Sequence, residues 1–399
     1  MTTMEATGAA RPRLMRTLNE QLLLERMRGN GPVSRSELAG TSGLSKPTVA
    51  LALSNLERDG LVQHAGRRAG GRGRTALLYE IRSGAGFVLG LDVGREFVRG
   101  AVADLAGAVR TRASRPARNS SAVARVRELG KLADDLLSDA GVSVGSGALR
   151  QTVVGSPGVV EPGGLALRMA ANLPGWERPA VLRDLQRLLG DATTIENDVD
   201  AAAVAERDHG HGREVSTFAF VSVGTGIGMG LILDGKLHRG AHGAAGEIAF
   251  LPLADGHLDP RDARRHGALE SAASSAAVVR AARQAGARFR SARSVFAAAA
   301  GGDGRAREIV AGEATIVARA LAAIVAVVDP ELIVLGGGIG RAPGFADEVS
   351  ARLANFSPIV PDVRPSALGE DAVVDGCLAV GGDQLWARVL SSRLVAEAI

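Results

Sequence analysis

Between Ser34 and Gly60 the sequence leaves little freedom in how the chain can fold. Ser34 and Glu37 stand in an S-x-x-E arrangement, in which hydroxyl and carboxylate each satisfy a free backbone N–H at a helix start. A short helix over about Arg35 to Thr41 follows, Gly43 supplies a tight turn, and Ser45 caps a second helix that runs to about Asp59. Pro47 sits in its first turn, where a missing N–H costs nothing. Upstream, Leu18, Leu22, Leu23 and Met27 recur at helical spacing, which predicts an amphipathic helix from about Leu14 to Arg28, ended by Gly29, Asn30, Gly31 and Pro32. Ala39, Gly43 and Val49 are the constrained positions of such a unit, and Leu38, Leu44, Leu53 and Leu56 complete its buried face.

Three helices arranged in this way can form a packing unit without any nucleic-acid contact, but the continuation favours another reading. Gly60-Leu61-Val62 begins a strand, Gly66 to Arg74 forms a basic tip, and a second strand follows over Ala76 to Ile81. This is the layout of a winged helix-turn-helix. In that geometry the second helix enters the major groove N-terminus first, which makes Ser45, Lys46 and Thr48 candidates for base or phosphate contact. Ala50 and Leu51 stand where a reading helix can carry polar side chains. Arg67, Arg68, Arg72 and Arg74 are therefore expected to supply much of the affinity through phosphates or a narrow minor groove, although the same arginines would also suit a solvated linker. Residues 1 to 80 hold 12 Lys plus Arg against 7 Asp plus Glu, a net of +5, while the whole chain carries +4. A basic head thus precedes a near-neutral body. With 3% aromatic residues there is no stacking platform for single strands, so duplex DNA is the expected ligand.

The 399 residues allow two or three domains, and 46% hydrophobic with 23% charged residues is ordinary for a globular chain with a large core. No apolar stretch approaching the roughly 20 residues of a membrane span is read, nor a secretory leader, so the expectation is a cytoplasmic protein with no membrane partner. The single cysteine, Cys377, excludes an internal disulfide or a multi-cysteine metal site and is expected to serve packing.

From Gly86 the pattern changes. A buried strand over Phe87 to Gly94 is followed by a second over Val98 to Asp104 and a turn at Leu105-Ala106-Gly107. Two adjacent strands with an acidic residue ending the first resemble the opening hairpin of the actin-like ATPase and sugar-kinase fold. Active kinases of that fold typically read D-x-G-G-T here; this chain reads Asp92-Val93-Gly94-Arg95-Glu96. Arg95 adds bulk where backbone amides would approach phosphate, and Glu96 would repel it if turned inward. Ser156-Pro157-Gly158, Asn172-Leu173-Pro174-Gly175-Trp176, Glu196-Asn197-Asp198, Gly224-Thr225-Gly226-Ile227-Gly228, Gly243-Ala244-Ala245-Gly246-Glu247, Gly267-Ala268-Leu269-Glu270 and Asp329 to Gly338 then arrive in one order. Together they resemble the ROK family of repressors, open reading frames and kinases over about residues 14 to 390, and the prefixed head resembles the family's transcription-factor branch.

That resemblance implies a winged helix-turn-helix over residues 1–82 and a two-lobed actin-like α/β body, with lobes at 83–196 and 197–399 and a C-terminal helix free to return to the first lobe. It makes Asp198 the match of the kinases' general base. Asn172, Asn197, Asp198, Glu247 and Glu270 match the family's sugar contacts, and Asp92, Gly94, Gly224, Thr225, Gly226, Gly336, Gly337 and Gly338 its nucleotide-binding turns. With the first loop altered, these turns are expected to persist for the fold and Asp198 to bind hydroxyls without chemistry. Many family members hold a structural zinc with one histidine and three cysteines. Phe250, Arg261, Ala263 and Ala268 occupy those positions, so no metal or other cofactor is expected; His257, Asp259, Asp262 and His266 lie nearby and are read as solvent-exposed. The Ala/Val/Ile-rich run over 308–328 suits close helix packing, either in a homodimer or higher homo-oligomer or simply in a core. Three readings stay open: a DNA-binding regulator, first of all a repressor, answering to a carbohydrate; an ATP-dependent sugar kinase with an accessory head; and a ligand-independent DNA-binding protein whose body only dimerises.

Overall fold

A computed structural model describes residues 6–69, 75–118, 121–142, 148–161, 167–170, 173–253, 264 and 267–396. The head contains helix α1 (Ala6–Met27), strand β1 (Val33–Ser34), α2 (Arg35–Ser42), α3 (Lys46–Arg58), β2 (Val62–Ala69) and β3 (Thr75–Ile81). The capping box forms as expected. The Ser34 hydroxyl accepts from the Glu37 N–H at 3.3 Å while the Glu37 carboxylate accepts from the Ser34 N–H at 2.7 Å, an arrangement typically worth about 1 kcal/mol. Gly43 adopts φ +71° and donates to the Ala39 carbonyl, which ends α2; the Ser45 hydroxyl caps α3. Helix α1 begins at Ala6, earlier than the expected Leu14.

The body holds two five-stranded mixed sheets of one topology. In the first lobe β4 (Gly86–Val93), β5 (Phe97–Asp104) and β6 (Val109–Pro116) form an antiparallel meander. After α4 (Ala122–Asp139), β7 (Leu149–Ser156) pairs parallel to β4. A small ribbon of β8 (Val159–Val160) and β9 (Leu167–Arg168) and helix α5 (Pro179–Leu189) lead to β10 (Thr193–Asn197), parallel to β7, and then to α6 (Asp198–His209). The sheet order is β10-β7-β4-β5-β6.

The second lobe repeats this plan. Strands β11 (Phe218–Val223), β12 (Ile227–Leu233) and β13 (Lys236–Leu237) form the meander; helices α7 (Ala268–Ala272), α8 (Ser275–Gln284), α9 (Ala292–Ala300) and α10 (Gly304–Val328) follow. Next come β14 (Leu332–Gly336), parallel to β11, then α11 (Gly337–Gly340), α12 (Phe345–Leu353) and β15 (Asp362–Pro365). Its order is β13-β12-β11-β14-β15. The central strands β4 and β11 are near-continuous apolar runs because both of their faces are covered.

Helix α13 (Ala372–Ala396) turns back onto the first sheet, packing on β4, β5 and β7, and it also crosses α6, which itself lies on β11 and β12. The crossing is close: a Cβ on Gly376 would stand 1.7 Å from the Ala201 carbonyl oxygen. Farther along, Leu385, Trp386 and Val389 share one buried cluster with Leu23, Leu24 and Met27 of α1. Gln21 donates to the Leu390 carbonyl at 2.9 Å, and Arg28 pairs with Asp383 at 2.5 Å.

Contrary to the sequence reading, α10 is long and apolar enough to cross a membrane by length and composition. Its Ala314, Val317, Ala318, Leu321 and Ile324 are buried in the core of the second lobe, which accounts for the apolar run. The same helix buries Glu313, whose Oε1 has no hydrogen-bond partner among the described residues; burial pushes this carboxyl up to about 8. A carboxyl raised on folding stabilises the native state below its unfolded pKa near 4.5, and that contribution is lost as pH rises to about 8, at up to about 1.4 kcal/mol per unit. Glu313→Gln should therefore raise Tm at pH 8 by several degrees and leave it almost unchanged at pH 5; thermal melts at both pH values check this, and equal shifts would count against a neutral Glu313.

Candidate functional site

In the head, α3 buries Val49, Ala52, Leu53 and Leu56 against α1 and α2, which leaves Lys46, Pro47, Leu51, Ser54 and Arg58 on the outer face. Ser45 and Lys46 are exposed at the helix start, but the Ser45 hydroxyl is occupied, accepting from the Thr48 N–H at 3.3 Å and bonding the Thr48 hydroxyl at 2.8 Å. A buried bond from Asn55 to Glu20, 2.7 Å, fixes α3 to α1. His64 reaches Glu57 at 2.8 Å, so the wing lies along the flank of α3.

The basic tip does not begin at Gly66. A bulge with Gly66 at φ +101° interrupts the pairing between His64 and Arg67, after which β2 continues to Ala69. Arg67 is exposed there. Arg68 turns back on the head, pairing with Glu37 at 2.9 Å and donating to the Pro32 carbonyl at 3.0 Å, so it braces the wing against the start of α2. Arg72 and Arg74 lie outside the described residues.

The cleft between the lobes is built from strand ends and helix starts. Asp92, at the end of β4, is buried, and the β4–β5 register places Arg99 opposite it. Arg99 bonds Asp92 at 3.3 Å and Glu370 at 2.9 Å. Burial, with the Asp198 charge, still pushes Asp92 up to about 7. The altered loop closes tightly: a Cβ on Gly94 would stand 2.5 Å from the Phe97 carbonyl oxygen. The buried guanidinium of Arg125 donates to the carbonyls of Gly94 and Arg95, while the Arg95 and Glu96 side chains are exposed.

Asn197 is the N-cap of α6. Its Oδ1 accepts from the Val199 and Asp200 N–H groups, 2.9 Å each, and its Nδ2 donates to Gly158 at 3.0 Å. The residue expected to contact sugar is thus largely spent on the helix start, with one amide hydrogen left. Asp198 is half-buried, accepts from Val199 at 2.9 Å, and is raised by burial to about 6. Glu247 is raised to about 7 by burial and by the charges of Asp198 and Glu270, which puts these three expected contacts in one neighbourhood. Glu270 also accepts from the Ile227 N–H at 3.2 Å, anchoring the turn at Gly224-Thr225-Gly226. Asn172 lies outside the described residues.

Sequence reasoning missed Asp200, Arg99, Arg125 and the Glu196–Arg239 pair. Asp200 is buried among Glu196, Asp198 and Glu247, raised to about 8 by burial and then by the Glu196 charge, with an Oδ1 lacking a partner among the described residues. Arg239 binds Glu196 through both its Nε, at 3.3 Å, and Nη2. Only Arg99 had a usable signal, since a short hairpin turn after Asp92 sets its partner by counting.

The glycine turns expected to face a nucleotide meet because β11 and β14 are parallel neighbours, Ser222 opposite Gly336. Gly337 needs its φ of +76° and has no room for a side chain, as a Cβ would meet the Val223 carbonyl oxygen at 2.3 Å. A Cβ on Gly224 would stand 3.4 Å from the Gly338 nitrogen, Gly338 faces open space, and Thr225 is exposed. At the family's zinc positions, Phe250 packs on the second lobe's core and Ala268 is buried. Neither carries a donor atom, so the zinc does not fit here; Arg261, Ala263, His257, Asp259, Asp262 and His266 lie outside the described residues.

Comparison with known proteins follows the same division. The sequence model of the ROK family matches residues 88–382, and one described as winged helix-turn-helix DNA-binding matches residues 16–63. A bifunctional NanE/NanK enzyme of Brucella melitensis is 41% identical over 147 residues, covering 37% of this chain and 27% of that enzyme. The N-acetylmannosamine kinase of Salmonella typhi is 31% identical over 206 residues, 51% of this chain and 69% of the kinase. The match thus spans about a quarter of the first relative's length. Among solved structures, a ROK family transcriptional regulator described as a homolog of the E. coli MLC protein superposes with a TM-score of 0.73 at 22% identity, covering 96% of this chain and 99% of that one. A ROK hexokinase from Thermus thermophilus gives 0.60 at 28% identity, covering 73% and 97%. The chain belongs to the ROK family and carries a winged helix-turn-helix DNA-binding module ahead of an actin-like sugar-kinase fold.

Proposed function

We propose that this protein is a sequence-specific transcriptional regulator whose head binds duplex DNA and whose body senses a carbohydrate or sugar phosphate without phosphorylating it. One observation carries the reading: α13 packs on the cleft-forming elements β4, β7 and α6 at one end and shares a core with α1 of the head at the other. A ligand that favours one lobe arrangement can then bias the head, provided its affinity differs between the two arrangements. A homodimer presenting two heads to a palindromic operator is part of the proposal. The regulator with the MLC-like description lends support through shared architecture over both head and body.

The kinase reading keeps one specific support, Asp198 in a chain 31% identical over 206 residues to an N-acetylmannosamine kinase. Against it stand Arg99, which already engages Asp92, and Arg125, which fixes the carbonyls of the altered loop. The full-length protein with ATP, magnesium and a panel of hexoses and N-acetylhexosamines should show no turnover above background in a coupled assay. Turnover that Asp198→Asn abolishes would overturn the sensor reading.

Lys46→Ala and Arg67→Ala should each weaken duplex binding and lower the slope of log K against log salt by about one. Titrations from 50 to 200 mM salt, about the range over which counterion release is readily seen, measure this; unaltered slopes would mean that neither cation meets a phosphate.

A further inference from the structure

The outer face of α3 carries one large apolar side chain. Leu51 is 56% exposed, while Val49, Ala52, Leu53 and Leu56 on the opposite face are at most 3% exposed. Pro47, Leu51, Ser54 and Arg58 follow one another at spacings of four, three and four, a single line along the helix. The line is bordered by cations: Lys46 at the helix start, Arg58 at its end and Arg67 on the adjacent wing strand, all exposed. His64 bonded to Glu57 holds that wing beside the helix. This is the face that a winged helix turns toward the major groove.

We infer that Leu51 is a specificity-determining residue that contacts the C5-methyl group of a thymine in each operator half-site. The inference rests on the DNA-binding reading and adds the base it selects. The major-groove edges of guanine, adenine and cytosine offer hydrogen-bond donors and acceptors that leucine cannot match, whereas thymine alone of the four presents an apolar methyl. Over any other base Leu51 would dehydrate a polar edge without satisfying it. Lys46, Thr48 and Ser54 on the same stretch supply polar partners for neighbouring positions.

The test is selection from a random duplex library with the full-length chain, followed by titration of the enriched operator with single thymines replaced by uracil. That change removes only the methyl group. At one position per half-site uracil should weaken binding about four-fold, the equivalent of one buried methyl. Leu51→Ala, a change at an exposed helical position that leaves the core intact, should bind thymine and uracil operators equally well. Leu51→Gln should shift the preference at that position toward adenine, which glutamine can bond at N6 and N7. Uracil tolerated at every position by the wild type, or discrimination retained by Leu51→Ala, would overturn the inference while leaving DNA binding intact. Enrichment of no sequence at all would instead overturn the DNA-binding reading on which it stands.

Discussion

The crossing of α13 over α6 is the contact on which the rest of the molecule depends. Gly376 allows the two backbones to meet at the Ala201 carbonyl, and each helix is seated on a different sheet: α13 on β4 and β7, α6 on β11 and β12. Both seats are cut by small residues. Gly90 lies under Val374, with its Cβ position 3.0 Å from that carbonyl oxygen, and Gly230 lies under Val199 at 2.7 Å. A methyl group at Gly376 or Gly230 would force the facing backbone to move, and one at Gly90 would press on Val374; interiors packed at this density transmit such a displacement instead of absorbing it. The lobes are therefore joined by two rigid helices in backbone contact. Relative motion of the lobes has to take the form of sliding or tilting at this joint.

The same joint sets the electrostatics of the cleft. Asp198 and Asp200 begin α6, Asp92 ends β4, and Glu247 approaches from the second lobe, so four carboxyls are all raised, burial being the first cause for each. Arg99 and Arg239 offset part of that charge by binding Asp92 and Glu196. A carboxyl raised by burial in this way can accept a hydrogen bond when ionised or donate one when protonated. A triphosphate entering this cleft would meet Asp92 already engaged by arginine and a loop whose Gly94 and Arg95 carbonyls are held by Arg125.

The local grammar of the head was open to reading because it is written in short-range chemistry. Ser34 with Glu37, Gly43, and Ser45 with Pro47 each satisfy or spare a backbone group within four residues, and all form as expected. The order of glycine motifs likewise announced the body's fold. What stayed hidden depends on separations of tens to hundreds of residues. Arg68 is a wing residue by sequence and a brace in space because Glu37, already spent on the cap, still has an oxygen to offer it. Asn197 reaches across 39 residues to donate to the Gly158 carbonyl, a contact its motif does not announce. Asp200 gave no signal at all, since its burial among acids follows from how α6 meets the Glu247 loop. Glu313 and Arg319 interrupt the apolar run of α10, yet in the fold the first is buried and the second lies over the Phe356 ring.

The geometry of α13 also decides what kind of coupling the molecule can support. A helix of 25 residues is about 37 Å long, and this one is held near its start by the α6 crossing and near its far end by α1. A tilt of roughly 5° at the Gly376 crossing moves the α1 attachment at Leu385 to Val389, about 14 to 20 Å farther along the helix, by about 1 to 2 Å. No chain of rearranging side chains is required between cleft and head, because the helix itself spans the distance. The head also cannot lag behind such a motion: Leu385, Trp386 and Val389 are buried in the same cluster as Leu23, Leu24 and Met27, and separating them would expose apolar surface from both sides at once. In the proposed sensor, coupling would therefore be a rigid-body property, set by the joint and read out at the attachment of α1.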